Sequence, residues 1–310
     1  MGNPAHRPAA TRSHRQIPAH RLAAARPHPA GLSGQRVLIT GPARGIGAHT
    51  ARLAAARGAR LGLIGLEPAR LAALAGELGE GHHWAECDVT DQGSLARAVE
   101  STVAALGGVD VVVANAGIAA IGTVAFGPAE AMIRVVDVNL SGVIRTLNAT
   151  LPHLIASQGY ALLVSSAAAF AAMPGMAAYA ASKAGVEQFG NVLRLETAHL
   201  GVGVGTAHPI WIDTDLVRGF PPSFTVARRK LPWPLRTVVS VEASAEALVR
   251  GIEHRQRKVY VPRSMGAIQA LRTLTLSKLS DRITLKLTGG EVLVTQLEEE
   301  ARALARSHAG

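Results

Sequence analysis

The chain has 310 residues, is 48% hydrophobic but only 4% aromatic, and carries a formal net charge of +10. That length can bury one large core or two modest ones. The single cysteine, Cys87, excludes an intramolecular disulfide and any cysteine-rich metal site, and fits a reducing, cytoplasmic compartment.

The charge is unevenly spread. Residues 1–31 hold five arginines and no acid, residues 216–286 hold fourteen Lys/Arg against four acids, and residues 32–214 hold eleven against thirteen. Basicity therefore belongs to the appendages and not to the middle of the chain. No aromatic platform is interleaved with these cations, so no nucleic-acid partner is expected. An anionic membrane surface suits the C-terminal surplus better. Two long uncharged runs, 111–129 and 146–182, are broken by glycine, proline, asparagine and serine, and read as buried strands and helices, not membrane spans.

In chain order, residues 1–31 are rich in Ala, Pro, His and Arg, lack the apolar stretch of a secretory signal, and are expected to form a disordered basic tail. Order should begin near Leu32. Val37 to Thr40 is a short buried strand that runs into Gly41-Pro42-Ala43-Arg44-Gly45-Ile46-Gly47 and then a helix to about Arg57. Strand, glycine turn and helix together form a nucleotide-binding signature: missing side chains let the backbone approach a pyrophosphate, and amides at the helix start meet its charge. A second strand, Leu61 to Leu66, ends with Gly65 where dinucleotide folds usually place an acid for the ribose. A helix from Ala69 to Leu78 precedes a third strand, Trp84 to Val89, whose Asp88 either caps an adenine amino group or serves as a turn or N-cap residue before the helix Gln92–Leu106.

Val109 to Ala114 is a fourth strand, ending in Asn115-Ala116-Gly117, and a long helical pattern over 129–151 carries Asn139. A fifth strand, Leu162 to Ser165, ends in hydroxyls and leads to Ser166. The next helix, Ala178–Leu200, places Tyr179 and Lys183 one turn apart on one face. An ammonium so placed favours the phenolate, and the pair is expected to lower the tyrosine pKa toward the range of a proton-transfer catalyst. Gly203 to Ala207 is a sixth strand, followed by His208-Pro209-Ile210-Trp211-Ile212-Asp213-Thr214, and Lys258 to Pro262 a seventh after a helix at 243–254. Alternating strands and helices specify an α/β fold with a doubly wound parallel sheet, here of about seven strands.

The rhythm is lost after Thr214. Residues 215–240, with Phe220, Phe224 and Trp233 among prolines, read as an apolar lid over a substrate or as a loop packing on its own body. Residues 263–310 form a helical C-terminal extension. Within it Ile268, Leu271, Thr275, Leu279 and Ile283 share one face, which either lies on an anionic membrane or packs on the protein's own domain or a second subunit.

Taken together, residues 32–262 resemble the short-chain dehydrogenase/reductase family, with its motifs in family order: Thr40-Gly41-x3-Gly45-Ile46-Gly47, Asp88, Asn115-Ala116-Gly117, Asn139, Ser166, Tyr179-x3-Lys183 and Pro209 to Thr214. The resemblance implies a Rossmann-type catalytic domain, hydride transfer between a nicotinamide and a carbonyl or alcohol carbon, and a homo-oligomer. Asn139, Ser166, Tyr179 and Lys183 would be catalytic: Tyr179 the proton donor, Ser166 the group that orients the substrate oxygen, Lys183 the modulator of Tyr179, and Asn139 the holder of a relay water. Gly41, Arg44, Gly45, Ile46, Gly47, Asp88, Val89, Asn115, Ala116, Gly117, Tyr179, Lys183, Pro209, Ile210 and Thr214 would bind the cofactor, and no metal is expected. Where the family usually has Pro-Gly, this chain has Pro209-Ile210. Gly65 removes an acid that would repel a 2′-phosphate and Arg44 can pair with one, which favours NADP over NAD, although Glu67 lies close by. The substrate is expected to be a small apolar carbonyl compound or alcohol. The competing expectation is a catalytically silent nucleotide-binding regulator of the same fold. A cytoplasmic protein, with peripheral membrane contact through 263–287 as an open alternative, completes the reading.

Overall fold

The computed structural model describes residues 31–307, with backbone only for residues 301 and 303–307. The basic tail, 1–31, thus lies outside the described residues apart from Gly31. Seven parallel strands form the central sheet: β1 (Arg36–Thr40), β2 (Arg60–Gly65), β3 (His83–Glu86), β4 (Val111–Ala114), β5 (Tyr160–Val164), β6 (Gly203–Pro209) and β9 (Lys258–Val261). They lie in the order β3-β2-β1-β4-β5-β6-β9. Winding runs outward from β1 in one direction and from β4 in the other. The crevice over the carboxyl ends of β1 and β4 is therefore the switch point where ligands bind in such sheets.

Helices cover both faces because strand side chains alternate between them. Val37, Ile39, Val111, Val113, Leu162 and Val164 pack with helices α1 (Gly45–Ala56), α2 (Pro68–Leu78) and α9 (Val241–Glu253). Leu38, Val112, Ala161 and Leu163 face α3 (Gln92–Leu106), α5 (Gly142–Ser157) and α6 (Ala177–Thr197) on the other side. Truncating any one of these buried Leu or Ile side chains to alanine removes roughly 2–5 kcal/mol.

Three departures from the sequence reading affect the site. The third strand stops at Glu86, so Asp88 and Val89 lie in the turn beyond it. The expected single helix around Asn139 is α4 (Ala129–Val136), then one wide π-helical turn at Asp137–Ser141 holding Asn139, then α5. Beyond β6 the chain forms β7 (Trp211–Ile212), α7 (Asp215–Arg218), α8 (Pro222–Arg229) and β8 (Val238–Val239), with β7 and β8 paired in parallel.

The last segment also differs from the expected run. It is divided into α10 (Met265–Ala270), α11 (Arg272–Thr275), α12 (Lys278–Thr288) and α13 (Gly290–Ser307). The Ser277 side chain caps α12 by accepting from Ser280 N, which breaks the helix there. Met265 is buried with Ala167, Ala169 and Phe170, while Leu293 and Leu297 are buried with Met173, Met176 and Phe224. Among the described residues no helix is long and apolar enough to cross a membrane.

Candidate active site

The first glycine turn is shaped by what it touches. A Cβ on Gly47 would lie 2.6 Å from Asn115 Nδ2 and 2.7 Å from the Gly41 carbonyl, and one on Gly41 would lie 2.9 Å from Ala116 Cα. Gly41 and Gly45 also have positive φ, a region unfavourable to side-chain-bearing residues. Asn115 staples the two turns together: its Nδ2 donates to the carbonyls of Thr40 at 3.0 Å and Gly41 at 3.1 Å. Thr40 Oγ1 in turn accepts from the backbone amides of Asn115 and Ala116, each at 3.0 Å. Gly117 sits at the far end, where a Cβ would come within 3.2 Å of Asn139 Oδ1 and 3.4 Å of Lys183 Nζ.

A dinucleotide fits this cradle. Helix α1 begins at Gly45 with no side-chain cap from Arg44 and no acid in its first turn. Its leading amides, with Ile46 and Gly47, are therefore left for an anion on the cavity side.

On the adenosine side, Gly65 closes β2 against the Gly41 turn, with 3.6 Å from its added Cβ to Gly41 Cα. Arg44, placed for a phosphate, forms an ion pair with Glu67 at 3.2 Å. Asp88 is a turn residue: its Oδ1 accepts from Thr90 N at 2.8 Å and Thr90 Oγ1 at 2.7 Å, while Asp91 supplies the N-cap of α3. The other Asp88 oxygen pairs with Arg134 at 3.4 Å. Arg134 lines the cavity and was invisible to motif reading, since only the fold brings α4 beside the turn that follows β3. Val89 lines the same wall, as does Cys87, whose thiol burial pushes up to about 11.

The catalytic candidates meet at the centre. Ser166 follows β5, and its hydroxyl donates to the Pro209 carbonyl at 3.2 Å while accepting from Ala168 N at 3.1 Å. Tyr179 and Lys183 project from the first turns of α6, with Lys183 Nζ 5.7 Å from the centre of the tyrosine ring. Lys183 is buried and donates to the Val164 carbonyl at 2.9 Å. Burial lowers its pKa to about 8. The Tyr179 pKa is raised by burial, and the neighbouring Ser166 hydroxyl only partly offsets this. The expected lowering of the phenol is thus reversed: desolvation raises its pKa, and Ser166, not the ammonium, is the group that opposes the rise.

Asn139, fully buried in the π turn, accepts from Ile118 N at 2.8 Å and donates to the Ile118 carbonyl at 2.9 Å and to Ser182 Oγ at 3.1 Å. Both amide hydrogens are engaged, so a relay water can be held only by the remaining Oδ1 lone pair or by the main chain.

Ser166, Tyr179 and Lys183, with the glycine turn, Pro209, Ile210 and Thr214, line one cavity of about 950 Å³, whereas Asn139 is buried behind its wall. Thr214 is 3.3 Å from a Cβ built on Gly45, which closes the ring between the first and last motifs. Beyond Tyr179 the wall is apolar, with Ile121, Met173, Met176, Trp211, Phe220 and Leu231. Phe220 and Phe224 pack edge-on against Trp211, whose indole donates to the Leu235 carbonyl at 2.7 Å. Residues 215–217, 219–221, 231 and 235 line the cavity, while Phe224 and Ala227 pack on the protein's own body. The two methionines carried no motif, and Thr284 of α12 reaches the wall from a segment with no sequence signal for it.

A family model for short chain dehydrogenases matches residues 35–222. The chain is 32% identical to an uncharacterized oxidoreductase of Myxococcus xanthus, over 72% of this chain and 87% of that protein. It is 34% identical to the cis-4-hydroxycyclohexanecarboxylate dehydrogenase of Sinomonas cyclohexanicum, over 68% of this chain and 86% of that one. Its fold is similar to the X-ray structure of an alcohol dehydrogenase from the archaeon Thermococcus sibiricus complexed with 5-hydroxy-NADP. That match has a TM-score of 0.65 and 26% identity, and covers 73% of this chain and 95% of that one.

Proposed function

The chain belongs to the short-chain dehydrogenase family and is an NAD(P)-dependent oxidoreductase, and on that premise we propose that Tyr179 is its acid/base and that its substrate is an apolar carbonyl compound or the matching alcohol. One observation supports this most: Ser166, Tyr179 and Lys183 converge on a single cavity with the glycine turn, under an apolar roof. The nicotinamide cofactor, when bound, supplies or accepts the hydride.

In the reductive direction Tyr179 donates its phenolic proton to the substrate oxygen. A phenol kept protonated by burial is suited to that task at neutral pH. Ser166 turns its hydrogen from the Pro209 carbonyl to the same oxygen, orienting it and stabilising the charge that develops. Lys183, charged at neutral pH, stabilises the phenolate left behind. Asn139 fixes the Ile118 backbone and Ser182, which keeps the floor under Lys183 in place. Met173, Met176, Trp211 and Phe220 exclude water and favour an apolar substrate body.

NADP is the preferred cofactor in this reading. It is supported by the missing carboxylate at Gly65 and by Arg44, which can exchange Glu67 for a phosphate. A homo-oligomer in the cytoplasm belongs to the same proposal and rests on the family likeness.

The test is nicotinamide absorbance with NADPH or NADP and a panel of apolar ketones and alcohols. Turnover should fall by about two to four orders of magnitude in Tyr179→Phe. Undiminished turnover in that variant would remove Tyr179 from the mechanism.

A further inference from the structure

Helix α12 is built inside out. Its inner side is polar: Ser280 and Thr284 are half-buried and Thr288 is buried, with Thr284 in the cavity wall. Its leucines face outward instead. Leu279 is 66% exposed, and Ile283, Leu285 and Leu287 are exposed with it, as are Leu271, Leu274 and Leu276 just before. A water-facing helix normally shows the reverse pattern, and an exposed apolar patch of this extent marks a surface that something covers.

The charge around it identifies the covering. Lys278, Arg282 and Lys286 recur every four residues along α12, and none of the three pairs with an acid among the described residues. Asp281 is the only acid between residues 263 and 288. A second copy meeting this face across a two-fold axis would set these cations against themselves, which disfavours self-association. Leucines among unpaired cations complement an anionic headgroup layer over hydrocarbon.

We propose that the outer face of α11 and α12 docks the protein on an anionic lipid surface, and that the substrate of the reaction proposed above enters the cavity from that side, past Thr284. The second half rests on the proposed function and narrows it to an alcohol or ketone that partitions into lipid. The docking half stands without it.

The test is co-sedimentation of the full chain with vesicles of phosphatidylcholine containing roughly a third phosphatidylglycerol. The protein should pellet with these vesicles and not with phosphatidylcholine alone, and raising salt from about 0.1 M to about 0.5 M should release much of it. Leu279→Ser/Ile283→Ser/Leu287→Ser should reduce the bound fraction about tenfold or more, with cofactor affinity and turnover of a short, water-soluble alcohol unchanged. Lys278→Gln/Arg282→Gln/Lys286→Gln, which leaves every leucine in place, should abolish the preference for anionic vesicles. Wild-type protein that stays in the supernatant overturns the proposal, and so does a serine variant that pellets like wild type. A serine variant that instead turns a solution dimer into a monomer assigns the face to a second copy and also overturns it. Pelleting reads no turnover, so an inactive or Tyr179-independent enzyme would defeat the reaction assignment while leaving the docking result intact.

Discussion

Lys183 Nζ stands 5.7 Å from the centre of the Tyr179 ring and donates to the Val164 carbonyl at 2.9 Å. The ammonium is thus held in an apolar site by one carbonyl, and burial lowers its pKa to about 8 against an ordinary 10.5. Between these values the unfolded chain binds the proton and the folded one does not, so stability should rise as pH climbs from about 8 to about 10.5. Lys183→Met should flatten that rise in thermal unfolding curves. It should also raise stability at pH 7 by at most roughly 3 kcal/mol, while turnover collapses.

The phenol shifts in the opposite direction. Since burial raises the Tyr179 pKa, the protonated donor form persists through neutral pH and the base form appears only in alkali. Alcohol oxidation should therefore accelerate with rising pH while ketone reduction does not, as paired pH profiles of kcat in the two directions would show.

Gly47→Ala tests the cradle. Its methyl would meet Asn115 Nδ2 and the Gly41 carbonyl, both tied into the staple between the turns, so neither can give way cheaply. Expected are a loss of roughly 1–3 kcal/mol in stability and a rise of about tenfold or more in cofactor Kd, read by denaturant melts and fluorescence titration.

Cofactor choice turns on a competition. Glu67 occupies Arg44 at 3.2 Å, and both side chains reach solvent. Glu67→Gln should lower the Kd for NADPH severalfold and leave that for NADH nearly unchanged, whereas Arg44→Ala should weaken NADPH alone. Separate titrations with the two dinucleotides decide this, and equal effects on both would remove Arg44 from phosphate recognition.

His208 provides an acid-side counterpart. It is fully buried, stacks on Tyr260 with ring centres 5.5 Å apart, and bonds Thr206 Oγ1 at 3.0 Å. Burial lowers its pKa to about 4, an effect that the buried Glu187 carboxylate opposes and Lys258 and Arg272 reinforce. Between about 6.5 and about 4 the unfolded chain gains a proton that the folded chain refuses, so stability should fall as pH drops through that window. His208→Gln should blunt that fall in melts taken at successive pH values.

Most of the sheet was legible because a buried parallel strand is a short apolar run and the first five were each followed by a helical period. The convergence of Gly41, Asn115, Ser166 and Tyr179 was legible for a related reason: each stands at the carboxyl end of a strand or opens the next helix, so topology alone brings them together. What escaped depended on partners remote in sequence. The Asp88 ion pair was hidden because its partner, Arg134, lies on a helix remote in sequence. Nothing local announces the π turn that carries Asn139, because the residues 137–141 read as ordinary helix. The apolar period of 268–283 does not survive as one face: three helices divide it, Ile268 and Thr275 turn to the body, and Leu279 and Ile283 turn outward.

One turn past Lys183 on the same helix, the buried Glu187 carboxylate is met by Lys258 of β9 at 3.0 Å, by Gln269 of α10, and by Arg272 of α11 at 3.7 Å. A buried charge robbed of such partners is strongly destabilising. Domain shuffling between this enzyme and its relatives should therefore fail unevenly along the gene. Crossovers between codons 187 and 272 would separate the carboxylate from its counterions, and sequencing the soluble progeny of a recombined library would show that interval depleted. Strand β9 and helices α10 and α11 travel with α6 as one heritable block.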